Sequence, residues 1–443
     1  MQAPRQTLSV VDATAIIVAI VVGAGIFKTP SIVAAGTGSK AVFLLLWPLG
    51  GAISLVGALC YAELASAYPN EGGDYHYFQL SFGGWVAFLF AWARLTVIQT
   101  GSIVILAFVF GDYAKQLLPL GPHASAIYAA AAIITLSILN SVSIKHSTRT
   151  QNILSGAKIL GLLCVCFVGF FLTPTLSLTA NSAHIPNSTI GLSMVFVLLT
   201  YGGWNEIAFA SAEFHNVQRD MLRALTWGVL IITVIFVLVN LAYVNVLGLK
   251  GVANSEAVAA DLMRRILGDP GARFISVLIT ISTLGAASGT IFTGARTNYA
   301  LGKTFAPLRF MGRWNGKTNT PLGALLIQGL MALALVIFGE LQRRGFETLV
   351  EYTAPVFWLF FLLTGISLFV LRRNDPGRFR PFRVPLYPFT PLLFCAACCY
   401  MLWSSLAYTG RGAVLGIAVL LSGVVVFILS RTFGNASQPD ASE

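Results

Sequence analysis

At 443 residues, with 56% hydrophobic and only 10% charged side chains and a mean hydropathy of +0.78, the chain is far too apolar for a soluble domain, in which about a quarter of the residues are charged. It reads as an integral membrane protein. The net charge of +11 does not make it a nucleic-acid binder: fifteen of the 28 Lys and Arg fall on the side of the N-terminus and the even-numbered loops and nine on the other, so topology and anionic lipid headgroups account for the excess.

Apolar windows of about 20 residues, the length that crosses about 30 Å of hydrocarbon as a helix, recur twelve times. The first, 11–35, is longer than the 7 to 15 residues of a signal-peptide core and has no small-x-small cleavage site after it, so it reads as a span. It contains "IIVAIVVGAGIFKTP", residues 16–30. The second, 41–66, ends in "YAEL", where Glu63 is expected to pair with a basic loop residue rather than carry protons. The third, 84–110, carries Arg94, which either faces a cavity or snorkels to the interface. Spans 124–142 and 152–173 follow, the latter with Lys158 about six residues in. The sixth, 190–213, includes "LLTYGGWNEIAFASAE". Then come 224–248 and 272–300, the latter with Ser282, Thr283 and Arg296 and with Gly285 and Gly289 spaced for a close helix contact. The last four are 321–339, 347–371, 386–408 and 412–431. All six cysteines lie inside spans. The "CAACC" run of the eleventh has no second ligand pair and reads as packing, so no metal, cofactor or disulfide framework is expected. Basic residues cluster at Lys145 and Arg149, at Arg219 and Arg223, along Lys303, Arg309, Arg313 and Lys317, and at Arg372, Arg373, Arg378, Arg380 and Arg383, which places both termini in the cytoplasm.

Two windows would make poor continuous helices. Gly23 and Gly25 flank Ala24, with Lys28 and Pro30 close behind; Gly202 and Gly203 sit in mid-span, followed by Trp204, Asn205 and Glu206. The interruptions fall in spans 1 and 6, a separation that predicts a five-plus-five inverted repeat over 11–173 and 190–371, with 1–10 as a cytoplasmic N-terminus, 386–431 as two further helices and 432–443 as a cytoplasmic tail. A half-helix beginning after Gly25 would offer free amides to a carboxylate, and half-helices ending near Val22 and Tyr201 would offer carbonyls to an ammonium group. Such a zwitterion site suits a small α-amino acid. It is expected to draw on Val22, Gly23, Ala24, Gly25 and Ile26, with Phe196, Leu199, Tyr201, Gly202 and Trp204 nearby. Glu206 would recognise a cationic substrate, carry a proton or bond to helix 1.

"VGAGIF" in span 1, "YAELASAYPNEGGDYHYFQLSFGGWVAFLFAW" from span 2 into span 3, "YGGWNEIAFASAE" in span 6, "GARTNYALGKTFAPL" followed by "NTP" after span 8, and "RPFRVPLYP" before span 11 together resemble the amino acid-polyamine-organocation superfamily, close to its L-type amino acid transporter branch. The resemblance covers essentially all twelve spans. It implies an all-α protein of the leucine-transporter-type fold, a substrate site between helices 1, 3, 6, 8 and 10, and alternating access. It also implies that Lys158 reaches the unwound part of helix 1, in the place a sodium ion holds in sodium-coupled relatives. Ser282 and Thr283 lie where those relatives ligate the ion, and a nearby ammonium would repel it; the other reading of Lys158 is an ammonium snorkelling to the interface. Arg296 resembles a gating arginine at the end of helix 8. The chain departs from the pattern at "FHNVQRDMLRAL", which keeps Asn216, Arg219 and Arg223 but lacks the usual prolines, and at Leu199, where many L-type relatives have an aromatic residue.

With no GxSxG, HExxH or P-loop pattern and no converging acid-base pair, an enzyme is not expected. The expectation is a sodium-independent secondary transporter in the plasma membrane, an exchanger or proton symporter, of neutral L-amino acids. The alternatives are cationic amino acids or polyamines as cargo, or a membrane channel.

Overall fold

In the computed structural model the described residues are 8–70, 72–142, 148–172, 188–214, 217–305, 308–315, 318, 320–342, 344–408 and 410–434. Lys145, Asn216, Lys317, the Asn319 of "NTP" and most of the polar tail lie outside them. Among the described residues the chain is helical throughout, with only isolated bridges in place of strands. Helices occupy all twelve regions expected to span. Among the described residues nine helices are long and apolar enough to cross a membrane, ten if one bent pair is counted as a single span.

In chain order, α1 (Val10–Val21) opens on a capping box, in which the Ser9 hydroxyl accepts from the Asp12 amide while the Asp12 carboxylate accepts from the Ser9 backbone. A 3-10 turn at Ala24–Phe27 separates it from α2 (Thr29–Thr37). Then follow α3 (Lys40–Ala67), the short α4 (Asp74–Phe82), α5 (Gly84–Ala93), a π-turn at Arg94–Ile98, α6 (Gln99–Leu117), α7 (Ala124–Val142), α8 (Thr148–Phe171) and α9 (Ser188–Thr200). A second 3-10 stretch, Trp204–Glu213, leads to α10 (Val217–Ala253), α11 (Val258–Thr304), α12 (Leu322–Leu341), α13 (Gly345–Asn374), α14 (Phe389–Tyr408) and α15 (Arg411–Gly434). The long α11 is kinked at Gly268, where φ is +69°.

The chain forms two compact units that interleave along the sequence. One unit combines 1–87, 158–275 and 357–409. Within it α3 packs along α10, α1 along α10, and α2 against α9. Trp47 and Tyr201 both meet the Phe236 ring edge-on, at centroid distances of 5.8 and 5.0 Å, in the interior where these helices cross. The other unit combines 88–157, 276–356 and 410–443. There α6 packs on α7 and α12, and a separate cluster of Phe88, Leu95, Leu301, Leu308, Met311 and Ala324 joins α5, the π-turn, α11 and the start of α12. Two of its buried amides form a chain: Asn298 donates to Gln328, which donates in turn to the Ile291 carbonyl. The π-turn of this unit is steadied from α13, where the Tyr352 hydroxyl donates to the Thr96 carbonyl.

Buried charge is confined to few places. Glu63, 2% exposed, takes a bidentate bond from Arg372 (2.7 and 2.5 Å), a second guanidinium from Arg380 (3.7 Å) and the Val384 amide (2.7 Å). The acid at the end of α3 is thus clasped by Arg372 in the last turn of α13 and by Arg380 and Val384 of the segment that follows, the latter supplying the basic loop partner read from the sequence. Removing the carboxylate leaves two cations facing a buried site, which costs roughly 3–5 kcal/mol. Glu63→Ala is expected to lower the thermal unfolding midpoint of the detergent-solubilised protein strongly. Arg372→Gln should lower it less, because Arg380 and the Val384 amide still compensate the acid.

Candidate functional site

The first interruption opens near Val22, as the sequence suggested, but a regular helix resumes later than expected, at Thr29. The helical bonds of α1 end with the Val22 amide on the Val18 carbonyl (2.8 Å), Gly23 is extended, and Ala24–Phe27 turns tightly before α2 begins at Thr29 with Pro30 in its first turn. Gly23 and Gly25 thus frame the first 3-10 turn rather than the start of a regular half-helix. The first amides of that turn, on Ala24 and Gly25, have no intra-turn acceptor. The second interruption falls where the sequence put it. α9 ends at Thr200, Gly203 takes φ +110°, and the chain bends by 40° into the 3-10 stretch from Trp204. Only glycine adopts that φ without strain.

The unit brings the two breaks against each other. A Cβ on Gly203 would stand 2.8 Å from Cγ2 of Ile20, in the last turn of α1, and a Cβ on Gly25 would stand 3.1 Å from Cγ2 of Thr200. The Thr200 hydroxyl lies 2.9 Å from that of Thr29 at the start of α2 and also donates to the Phe196 carbonyl. Between 21 and 27 all side chains are buried, and only Gly23 and Gly25 keep partial exposure; across the contact Leu199, Gly202 and Gly203 do so. What can be reached at the crossing is therefore glycine backbone together with Leu199 and Ile20, which is 44% exposed.

The carbonyls at the end of α1 are shared out. Val18 accepts from Val22 and Val21 from Gly23. Ala19 faces the Lys158 ammonium at 3.5 Å, reached from α8, and Lys158 itself is 8% exposed. Among the described residues the Ile20 carbonyl accepts no hydrogen bond. On the other flank, Lys28 donates to the Glu256 carbonyl at 3.2 Å and so ties the break to the loop after α10, a link for which the sequence carries no signal.

The aromatic side chains expected nearby turn elsewhere. Tyr201 is fully buried and donates its hydroxyl to the Trp47 carbonyl of α3 at 2.8 Å. Trp204 packs edge-on to Tyr61 (5.1 Å) and Phe361 (5.7 Å). Phe196 is buried, Leu199 is partly open, and Glu206 is partly buried with its amide on the Gly203 carbonyl. Ser282, Thr283 and Arg296 belong to the other unit. Ser282 and Thr283 are buried in α11, with the Thr283 hydroxyl donating to the Ile279 and Thr280 carbonyls of its own helix. Arg296 lies with its guanidinium 3.4 Å above the Phe292 ring one turn earlier.

Paired helix breaks with reachable backbone inside a bundle of spans define a membrane transport protein rather than an enzyme. Comparison with known proteins names the family: the model described as "Amino acid permease" matches residues 8–429, and the chain belongs to that family, in the amino acid-polyamine-organocation superfamily. It is 29% identical over 435 residues to the b(0,+)-type amino acid transporter 1 of Mus musculus, covering 96% of this chain and 88% of that one. With the Large neutral amino acids transporter small subunit 2 of the same organism it shares 30% over 441 residues, covering 96% and 81%. With the human b(0,+)-type amino acid transporter 1 it shares 30% over 391 residues, covering 86% and 79%. These relatives place it beside the L-type branch. The chain is a multi-pass membrane transporter of amino acids.

The contact between Gly25 and Thr200 makes a testable pair. Gly25→Val should abolish binding of radiolabelled amino acid to the purified protein, since the branched side chain has no room beside Thr200. Gly25→Ala should weaken binding about tenfold, and adding Thr200→Ser, which removes the methyl at 3.1 Å, should recover most of it. If the double variant is no better than Gly25→Ala alone, the glycine serves the ligand directly and not the contact between breaks.

Proposed function

We propose that this transporter moves neutral L-amino acids without sodium, by alternating access in a leucine-transporter-type fold, from the plasma membrane with both termini in the cytoplasm. The observation that carries the reading is the meeting of the two helix breaks at Gly25–Thr200 and Gly203–Ile20. The free amides of the first 3-10 turn suit a carboxylate, and the Ile20 carbonyl suits an ammonium group. Their separation by five spans, and the grouping of spans 1, 2, 6 and 7 in one unit and 3, 4, 8 and 9 in the other, support a five-plus-five repeat, because each unit then takes equivalent helices from both halves.

For the side chain of the substrate the reachable surface near the breaks is Leu199, Ile20 and glycine backbone, which offers no counter-charge. Glu206, directly after the second break, favours a second reading in which cationic amino acids or polyamines are carried. Lys158 takes the role of a built-in cation at the Ala19 carbonyl, in place of a coupling ion. It is also the group through which proton coupling would act.

Uptake into proteoliposomes tests each part. With leucine as tracer, unlabelled alanine, leucine and methionine should compete, whereas lysine or arginine competing more strongly would favour the second reading. Replacing sodium by choline should leave uptake unchanged. Lys158→Ala should lower uptake at least about tenfold while keeping the competition order, because a substrate site formed by backbone survives and only the cation that steadies α1 is lost. A strict sodium requirement, or full activity in Lys158→Ala, overturns the assignment of the lysine.

A further inference from the structure

The segment 375–388 joins two candidate spans, α13 and α14, and therefore lies at the edge of the hydrocarbon layer. It is firmly fastened to the end of α3. Tyr68 donates to the Asp375 carboxylate (3.2 Å), Arg378 Nε to the Ala67 carbonyl (2.9 Å) and the Val384 amide to Glu63 (2.7 Å), while Arg380 braces the segment internally and on α13 through the Asp375 and Leu371 carbonyls (2.8 and 3.0 Å).

This anchored segment nevertheless exposes large apolar side chains: Phe379 at 71% and Leu386 at 78%, with Phe389 at 73% at the start of α14. Interleaved with them are exposed arginines, Arg373, Arg378 and Arg383. Between 372 and 383 five arginines stand against Asp375, and Glu63 neutralises only one of them. The Asp375 carboxylate is itself committed to the Tyr68 hydroxyl.

An open groove of about 560 Å³ runs beside them, bounded by Ser66 and Ala67 of α3, Val217 at the start of α10, and Asp375, Arg378 and Phe379 of the segment. Among the described residues the terminal nitrogens of Arg378 donate to no protein acceptor. Guanidinium groups with unspent donors suit a phosphate. A soluble phosphate makes no use of phenylalanine and leucine held out beside it. A lipid uses both, since its headgroup meets the arginines while its glycerol and upper acyl carbons cover the apolar side chains.

We propose that this surface is a binding site for an anionic phospholipid, with the phosphodiester in the groove at Arg378, Arg373 and Arg383 toward neighbouring headgroups, and Phe379, Leu386 and Phe389 in the interfacial layer. It requires only that the chain spans a membrane and does not depend on the substrate assigned above. Because the lipid binds the folded segment, occupancy stabilises the protein by mass action.

The test titrates the full-length protein in a neutral detergent with phosphatidylglycerol, phosphatidylcholine or inorganic phosphate and follows the thermal unfolding midpoint. Phosphatidylglycerol should raise the midpoint in a saturable way, while millimolar phosphate and phosphatidylcholine do not. Each arginine near an anionic surface contributes about a fivefold factor, so Arg373→Gln with Arg383→Gln should raise the half-maximal phosphatidylglycerol concentration about 25-fold. Neither exposed arginine makes a bond the fold needs, so the variant remains foldable where Arg378→Gln, which loses the Ala67 bond, need not. Phe379→Ser should also weaken the response, and Arg411→Gln, at the start of α15, should leave it unchanged. An equal response to phosphate makes this a free-anion site. An equal response to phosphatidylcholine, or an unchanged half-maximum in the double variant, means no anionic-lipid site exists there.

Discussion

A backbone polar group without a partner costs several kcal/mol in hydrocarbon, and this single constraint orders the half of the molecule that carries the breaks. A helix interrupted in mid-membrane frees carbonyls on one side and amides on the other. Here the end of α1 is closed off almost group by group: Val22 and Gly23 supply amides to Val18 and Val21, and Lys158 is brought from α8 to Ala19. The end of α9 is tied through the Thr200 hydroxyl to Thr29, at the first turn of α2. What stays unspent, the Ile20 carbonyl and the leading amides of the 3-10 turn, is concentrated where glycine leaves the backbone reachable. The proposed site consists of the remainder after the rest of the break has been satisfied.

The same rule governs buried charge. Glu63 could not remain at the end of α3 as a lone carboxylate, and its bidentate bond to Arg372 with Arg380 behind it makes the α13–α14 segment part of the fold. That clasp sets the segment in place, with Arg372 also lying over the Tyr387 ring at 3.9 Å. A rigid connection is the condition for holding apolar side chains out at the interface instead of folding them back.

Hydropathy made the spans legible, because length and apolarity are local properties of the sequence. The breaks were legible for a similar reason: each adjoins helix-weakening or polar residues, Lys28 and Pro30 after Gly23 and Gly25, Asn205 and Glu206 after Gly202 and Gly203, and Gly203 indeed needs its positive φ. The exact shape of the first break was not, since whether Ala24–Phe27 forms a helical start or a tight turn depends on the packing of Gly25 against Thr200, 175 residues away in sequence. Long-range choices of that kind also decided the aromatics. Nothing near Tyr201 in the sequence indicates that its hydroxyl reaches the Trp47 carbonyl, or that Trp204 goes to Tyr61. The bond from Lys28 to Glu256 joins a break to a loop more than 200 residues on, and local pattern holds no trace of it.

The loss of Tyr201 and Trp204 to packing changes what kind of recognition the site performs. If the groups common to every α-amino acid, carboxylate and ammonium, are met by backbone, they contribute equally for all substrates and cannot distinguish between them. Discrimination then falls on the few side chains near the opening, of which Leu199 and Ile20 are aliphatic and reachable. An aliphatic wall separates substrates by only about 1–3 kcal/mol per methylene and cannot strongly reject an added hydroxyl. On the proposed reading, a site built in this way accepts a class of neutral amino acids rather than one member. Narrower selectivity would have to come from a charge, and Glu206, one turn beyond the second break, is the acid placed to supply it.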